Sequence, residues 1–176
     1  MIEKSLRVLE YDKVIKMLES QAASKLGKEK CSDIRPLKSL KQINKLQEET
    51  KEASLLMNEL GNPPLFGIFN LNEILNYAKK GGVLAMGSLL DVSANLRVSS
   101  ELKKYLSEKD EDVTLTLLED MINRLSPEKN IQSEIERKII SANEIADDAS
   151  PRLMSIRTSL TNKNIEIRNR INSIVS

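Results

Sequence analysis

From Pro151 to Ser176 the chain reads PRLMSIRTSLTNKNIEIRNRINSIVS, with no glycine and no second proline. Leu153, Leu160, Ile167 and Ile174 recur every seventh residue, and Ile156 and Ile171 flank that column. Apolar residues at this interval stay on one face of an α-helix. Ser150 stands before Pro151. A serine hydroxyl can accept from a free first-turn N–H, and proline is tolerated next because its missing N–H is not needed there. No stop signal follows. The pattern therefore reads as the beginning of a long helix, and the 176 residues as part of a larger protein.

The rest of the chain has to fold around that element, and its composition narrows how. Hydrophobic residues are 40% and charged residues 30%, which suits a core with a soluble surface. Aromatics are only 3%, with no Trp, so the core must be built from Leu, Ile, Val, Met and Ala. Leu, Met and Ala favour helix. The net charge of +1 excludes a global field pulling the chain toward nucleic acid or membrane. Local charge is uneven. Arg152, Arg157, Lys163, Arg168 and Arg170 face one acid, Glu166, in the terminal helix, while Glu108 to Asp112 holds four acids and one lysine. Cys31 is the single cysteine, which excludes an intrachain disulfide and fits a reducing compartment. The N-terminus MIEKSLRVLEYDK lacks the apolar core of a signal peptide. No apolar run reaches the ~18 residues of a membrane span. The setting predicted is the cytoplasm.

Taken in order, Ile2, Leu6 and Leu9 have helical spacing, and Asp12 is a candidate cap for a helix carrying Val14, Ile15, Leu18 and Ala22. Leu26-Gly27 marks an interruption, and Pro36 stops a brief helix with Cys31 and Ile34. Ser39 is expected to cap a long helix ending at Gly61. Leu65 to Leu71 holds both Phe residues and reads as a short buried strand-like piece. Asn72 to Lys79 is a short helix closed by Gly81-Gly82, and Ser88 caps the next. Val113 to Leu125 reads as another helix. Ser126-Pro127 repeats the cap-and-proline device before Ile131, Ile135 and Ile139, spaced i, i+4, i+8. The fold class expected is all-α: a multi-helix core over residues 1–149 and, over 150–176, a long helix beginning a coiled coil.

Three motifs invite a chemical reading, and each has a plainer one. Gly82 to Ser88 (GVLAMGS) superficially resembles a phosphate loop but lacks the lysine that grips phosphate. It reads as a loop and helix start. Asp147 and Asp148, near Glu144, lack the further oxygen ligands of a divalent-metal loop. They read as acids favouring the positive end of a helix. Cys31 has no histidine base anywhere in the chain. The predicted catalytic, metal and cofactor residues are therefore none. The five basic residues of the terminal helix are candidates for nucleic-acid phosphate contact. Leu153, Leu160, Ile167 and Ile174 are candidates for a partner-helix seam. That seam is narrow, because the second heptad column reads Ile156, Lys163, Arg170. Self-association through it is a further expectation.

Ordered blocks along the chain then point to a family. SLRVLEYDKVIKML, LGKEKCSDIRPL, QEETKEASLLMNELGNPPLFGI, AKKGGVLAMGSLLDVSANLR and ANEIADDASPRLMSIR resemble the N-terminal part of the bacterial MutS type 2 family. These are large paralogues of the mismatch-repair ATPase MutS. The resemblance spans essentially the whole chain. It is most specific at Glu49-Thr50 with Pro64 and Gly67, at Gly81 to Leu84 with Leu89 to Asp91, and at Asp148 to Pro151 with Leu153, Ile156 and Arg157. One departure is Phe69-Asn70, where the family usually has an acid.

The resemblance implies a helical core and lever, a long coiled-coil clamp, and a P-loop ATPase domain that dimerises. Many members add a C-terminal endonuclease domain. The family is linked to branched DNA and recombination control, and to collided ribosomes and their rescue, hence to rRNA. This chain matches the core and the root of the clamp. ATP, Mg²⁺ and the nuclease residues belong to parts it does not match. The function expected is thus a non-catalytic lever and clamp root of a MutS-like, nucleic-acid-binding hydrolase that forms a homodimer. The alternative is an unrelated helical adaptor that captures a partner helix through its terminal seam.

Overall fold

The computed structural model describes residues 2–175; Met1 and Ser176 lie outside them, as do the side chains of Ile2, Glu3 and Val175. The expected apolar role of Ile2 therefore falls outside the described side chains. Among the described residues 68% are helical and one two-stranded sheet is present, so the chain is all-α in class.

Three short helices open the chain: α1 (Ile2–Val8), α2 (Tyr11–Gln21) and α3 (Lys25–Ser32). They pack on one another, and the Tyr11 hydroxyl donates to Ile34 O at 3.3 Å, tying the exit of α3 back to the start of α2. Asp12 does not cap α2. The helix starts one residue earlier, and Asp12 sits in its first turn, where an acid still meets the positive helix end. The expected break at Leu26-Gly27 also moves. Ser24 is extended and its hydroxyl accepts from Gly27 N–H at 3.0 Å, so Gly27 belongs to the first turn of α3. A serine two residues upstream of Leu26 outweighed the glycine, because the cap satisfies an otherwise orphan donor. Ile34 lies beyond the helix end at Ser32.

The long helix α4 (Leu40–Leu60) begins after Ser39 and ends at Gly61, as expected, although the Ser39 side chain makes no capping bond. The segment from Leu65 to Leu71 is not a strand and its phenylalanines are not buried; Phe66 is 80% exposed. Pro63, Pro64 and a left-handed Gly67 prevent regular pairing. Asn95 takes the place of a neighbouring strand: its Oδ1 accepts from Phe69 N–H at 3.1 Å and its Nδ2 donates to Phe69 O at 3.0 Å.

Helix α5 (Asn72–Lys79) closes as the glycine pair predicts. Gly81, at φ 82°, donates to Ala78 O, and Gly82 donates to Tyr77 O, a paired closure that satisfies two terminal carbonyls. A Cβ on Gly82 would come within 2.4 Å of the Tyr77 ring, so any other residue there would have to displace that exposed ring. The central helix α6 (Met86–Ser107) starts after Ala85, placing Ser88 inside the first turn instead of at the cap.

The expected helix Val113 to Leu125 shrinks to α7 (Leu117–Asn123). Val113 to Thr116 turns aside, burying Leu115 to 2% exposure in a cluster with Leu56, Tyr105 and Leu106. Helix α8 (Lys129–Lys138) begins after Glu128, so Ser126-Pro127 lies in the preceding loop and is not its cap. Ile139 leaves the helix and enters β1 (Ile139–Ser141), antiparallel to β2 (Glu144–Ile145). Its i+8 spacing suggested helix; the pairing of Ile139 with Ile145 won, since β-branched residues suit an extended backbone that finds a partner.

The body is held by α6. It packs against α7, α8 and β1, while α4 packs on α7. Ser93 and Arg97 on α6 and Gln132 on α8 all donate to one Glu136 oxygen, at 3.0, 2.6 and 3.1 Å. Finally α9 (Pro151–Val175) leaves this body.

Candidate partner-helix and nucleic-acid interface

The site predicted from sequence lies on α9, and its root is built as expected. Ser150 Oγ accepts from Leu153 N–H at 3.2 Å. The hairpin β1–β2 then delivers the chain to this point, and one side chain of the helix reaches back to it. Arg157 donates from Nη1 to Ile145 O at 3.1 Å and to the Asp147 carboxylate. Asp147 therefore acts by pairing with a side chain two turns into the helix, not only by sitting before its positive end. Leu153 and Arg157 are partly covered, and beyond Arg157 every described residue of α9 is exposed.

The five basic candidates are not equivalent. Arg157 is held by Asp147 and the β2 carbonyl. Lys163 and Arg170 both pair with Glu166, each at 2.9 Å. Among the described residues, Arg152 and Arg168 have no carboxylate partner. The seam residues Leu160, Ile167 and Ile174 are 60%, 54% and 83% exposed, so beyond the partly covered Leu153 none of the described residues covers that column.

Among the long-range contacts that the sequence does not announce, two bear on how the arm and its supporting helices are held. The Arg157–Asp147 clasp joins residues ten apart across a helix start, a spacing with no local signature. Glu52 is the other. It is 4% exposed on α4, and its carboxylate accepts from the backbone N–H groups of Thr116, Leu117 and Leu118 and from the Thr116 hydroxyl, at 2.8–3.1 Å. Burial opposes ionisation of Glu52, but these donors outweigh it and its pKa lies below the ordinary carboxylate value. Glu49 and Thr50 carry the family resemblance nearby, while Glu52 reads in sequence as one more helix-surface acid.

Among the described residues, no cluster of His, Cys, Asp or Glu is arranged to hold a metal, and no helix is long and apolar enough to cross a membrane. The molecule defines a helical scaffold that throws out a single long arm, with its polar chemistry spent on holding helices in place. Comparison with known proteins assigns that scaffold: the chain belongs to the MutS2 family. It is 39% identical over all 176 residues to the endonuclease MutS2 of Alkaliphilus oremlandii. It is likewise 39% identical over 175 residues to that of Clostridium beijerinckii, and 38% identical over 175 residues to that of Clostridium acetobutylicum. The chain spans 22% of the length of each of these relatives. No family model matches it.

Proposed function

We propose that these 176 residues are the non-catalytic lever and clamp root of a MutS-like ATPase. The observation that carries this reading is the geometry of α9. Among the described residues it is tied back to the helical body at its root, where Arg157 donates to Ile145 O and Asp147, and every described residue beyond Arg157 is exposed. A stiff helix fixed at one end carries a small rotation of its base outward. In the whole protein, ATP with Mg²⁺ would bind outside this region, as would the hydrolytic centre that the relatives' name, endonuclease, implies. The protein would act as a homodimer in the cytoplasm, on branched DNA or on stalled ribosomes and their rRNA. ATP turnover is the test: the 176-residue chain hydrolyses none, and measurable turnover removes the reading.

A second reading concerns nucleic acid on α9 itself, and the sign asymmetry of its charges favours it. Contact would run through Arg152 and Arg168 first, with Lys163 and Arg170 partly neutralised and Arg157 engaged elsewhere. Such contact is weak and salt-sensitive, since few phosphates are met. Reversing Arg168 and Arg170 to Glu abolishes any binding of duplex DNA to the chain; an unchanged isotherm refutes the role.

A further inference from the structure

The connection between α6 and α7, residues 108–116, is held from α4 by two carboxylates seven residues apart. Positions 52 and 59 share one face of that helix, two turns and about 10 Å apart along its axis. Glu52 grips the far end with both oxygens: Oε1 accepts from Thr116 N–H at 2.9 Å and Oε2 from Leu118 N–H at 2.8 Å. Glu59 grips the near end with one. Its Oε1 accepts from Asp110 N–H at 2.5 Å, while Oε2 is closed off from solvent and has no hydrogen-bond partner among the described residues. Between the two ends, Leu115 is buried against Leu56, Tyr105 and Leu106, with Val113 packed beside them.

The two grips also differ in charge. Glu119 and Asp120 follow the Glu52 grip, but Asp120 pairs with Arg124. At the Glu59 grip, Glu108 pairs loosely with Lys104, whereas Asp110, Glu111 and Asp112 have no ion partner among the described residues. The one base there, Lys109, turns its Nζ to Val113 O at 3.0 Å. The Glu59 charge reaches Tyr105 as well, whose hydroxyl is pushed up by burial first and by Glu59 second. A buried carboxylate oxygen without a donor costs free energy, and like charges beside it add to that cost. Those acids are exposed, so salt screens them. We infer that residues 108–115 form a lid over the Leu56, Tyr105 and Leu106 cluster, hinged at Glu52 and opening from the Glu59 end. The charge on Glu59 sets how far the lid stays closed: neutralising or screening it closes the lid.

Amide hydrogen exchange in the 176-residue chain tests this. The near end is read at Lys109, Asp110 and Val113, which donate to Leu106 O, Glu59 Oε1 and Asp110 O. The far end is read at Thr116, Leu117 and Leu118, the donors to Glu52. One substitution made at the two grips is expected to act in opposite directions. Glu59→Gln keeps an acceptor for Asp110 and removes the charge, so near-end exchange slows about threefold or more. A chain that failed to fold could not produce that slowing. Glu52→Gln speeds exchange at Thr116 to Leu118. Raising NaCl from about 0.01 to 1 M slows the near end of the native chain and leaves that of Glu59→Gln unchanged. Faster exchange at Asp110 in Glu59→Gln overturns the inference, because Glu59 is then only a second cap. Unchanged near-end exchange overturns it too, as does one common rate at all six amides, which would mean that the segment opens only with the whole body. The lid stands apart from the lever reading, which ATP turnover by the chain would remove without touching these rates.

Discussion

Glu52 caps α7 from 66 residues away: its Oε2 accepts from Leu118 N–H at 2.8 Å. A helix start leaves its first N–H groups without partners, and they are normally met by a neighbouring side chain in the same segment. Here Thr116 stands at the cap position but makes no side-chain cap bond, and the carboxylate of another helix does the work. The contact therefore fixes α7 and α4 together, and with them the cluster of Leu56, Tyr105, Leu106 and Leu115.

Replacing Glu52 should expose how much rests on that one group. Glu52→Ala leaves three part-buried backbone donors without their carboxylate and is expected to cost about 1–3 kcal/mol. Glu52→Gln keeps one acceptor oxygen and should cost less. Urea unfolding of the three proteins gives the order; equal midpoints would show that α7 caps itself.

Acid should weaken the fold through the same contact. The pKa of Glu52 lies below its ordinary value, as does that of Glu136, which is lowered chiefly by its hydrogen bond from Arg97 and then by that from Gln132. A carboxylate with a depressed native pKa contributes stability above its unfolded value, about 4.3. That contribution is lost as pH falls through the lower native value. Stability should be level from pH 7 to about pH 5 in these two groups and fall below it. Glu52→Gln should flatten part of the decline, as thermal unfolding against pH can show.

Breaking the Arg157–Asp147 pair should free the arm without unfolding the body. The pair is solvent-exposed, so Asp147→Ala is expected to change global stability by less than about 1 kcal/mol. The direction of α9 should nonetheless broaden. Spin labels on the body and near Ile167 would show a wider distance distribution; an unchanged one would mean that Ser150 and Leu153 alone hold the arm.

Asn95 should govern the loop between α4 and α5. Asn95→Ala removes both bonds to Phe69 and is expected to cost about 1–2 kcal/mol, while Asn95→Asp retains the acceptor but not the donor. Hydrogen exchange at the Phe69 amide should accelerate in Asn95→Ala; protection equal to the native chain would show that loop packing suffices.

The helical class, the long terminal helix from Ser150-Pro151, the end of α4 at Gly61 and the glycine closure of α5 were all legible in residue order. Each depends on interactions within a few residues: periodic apolar side chains, a cap, a left-handed glycine. The family was legible for the same reason, since its blocks are local. What the sequence could not determine were the contacts between distant segments. Ser88, Asp12 and Ser126 have the chemistry of caps, yet the caps fell elsewhere because packing set where each helix could begin. Ile139 kept helical spacing and still became a strand, because Ile145 was within reach only after the chain had turned. Asn95 and Glu52 resemble ordinary helix-surface residues until folding brings Phe69 and Leu118 beside them. A backbone donor is satisfied by whichever acceptor the tertiary structure places nearest, and that choice is not written in its neighbours.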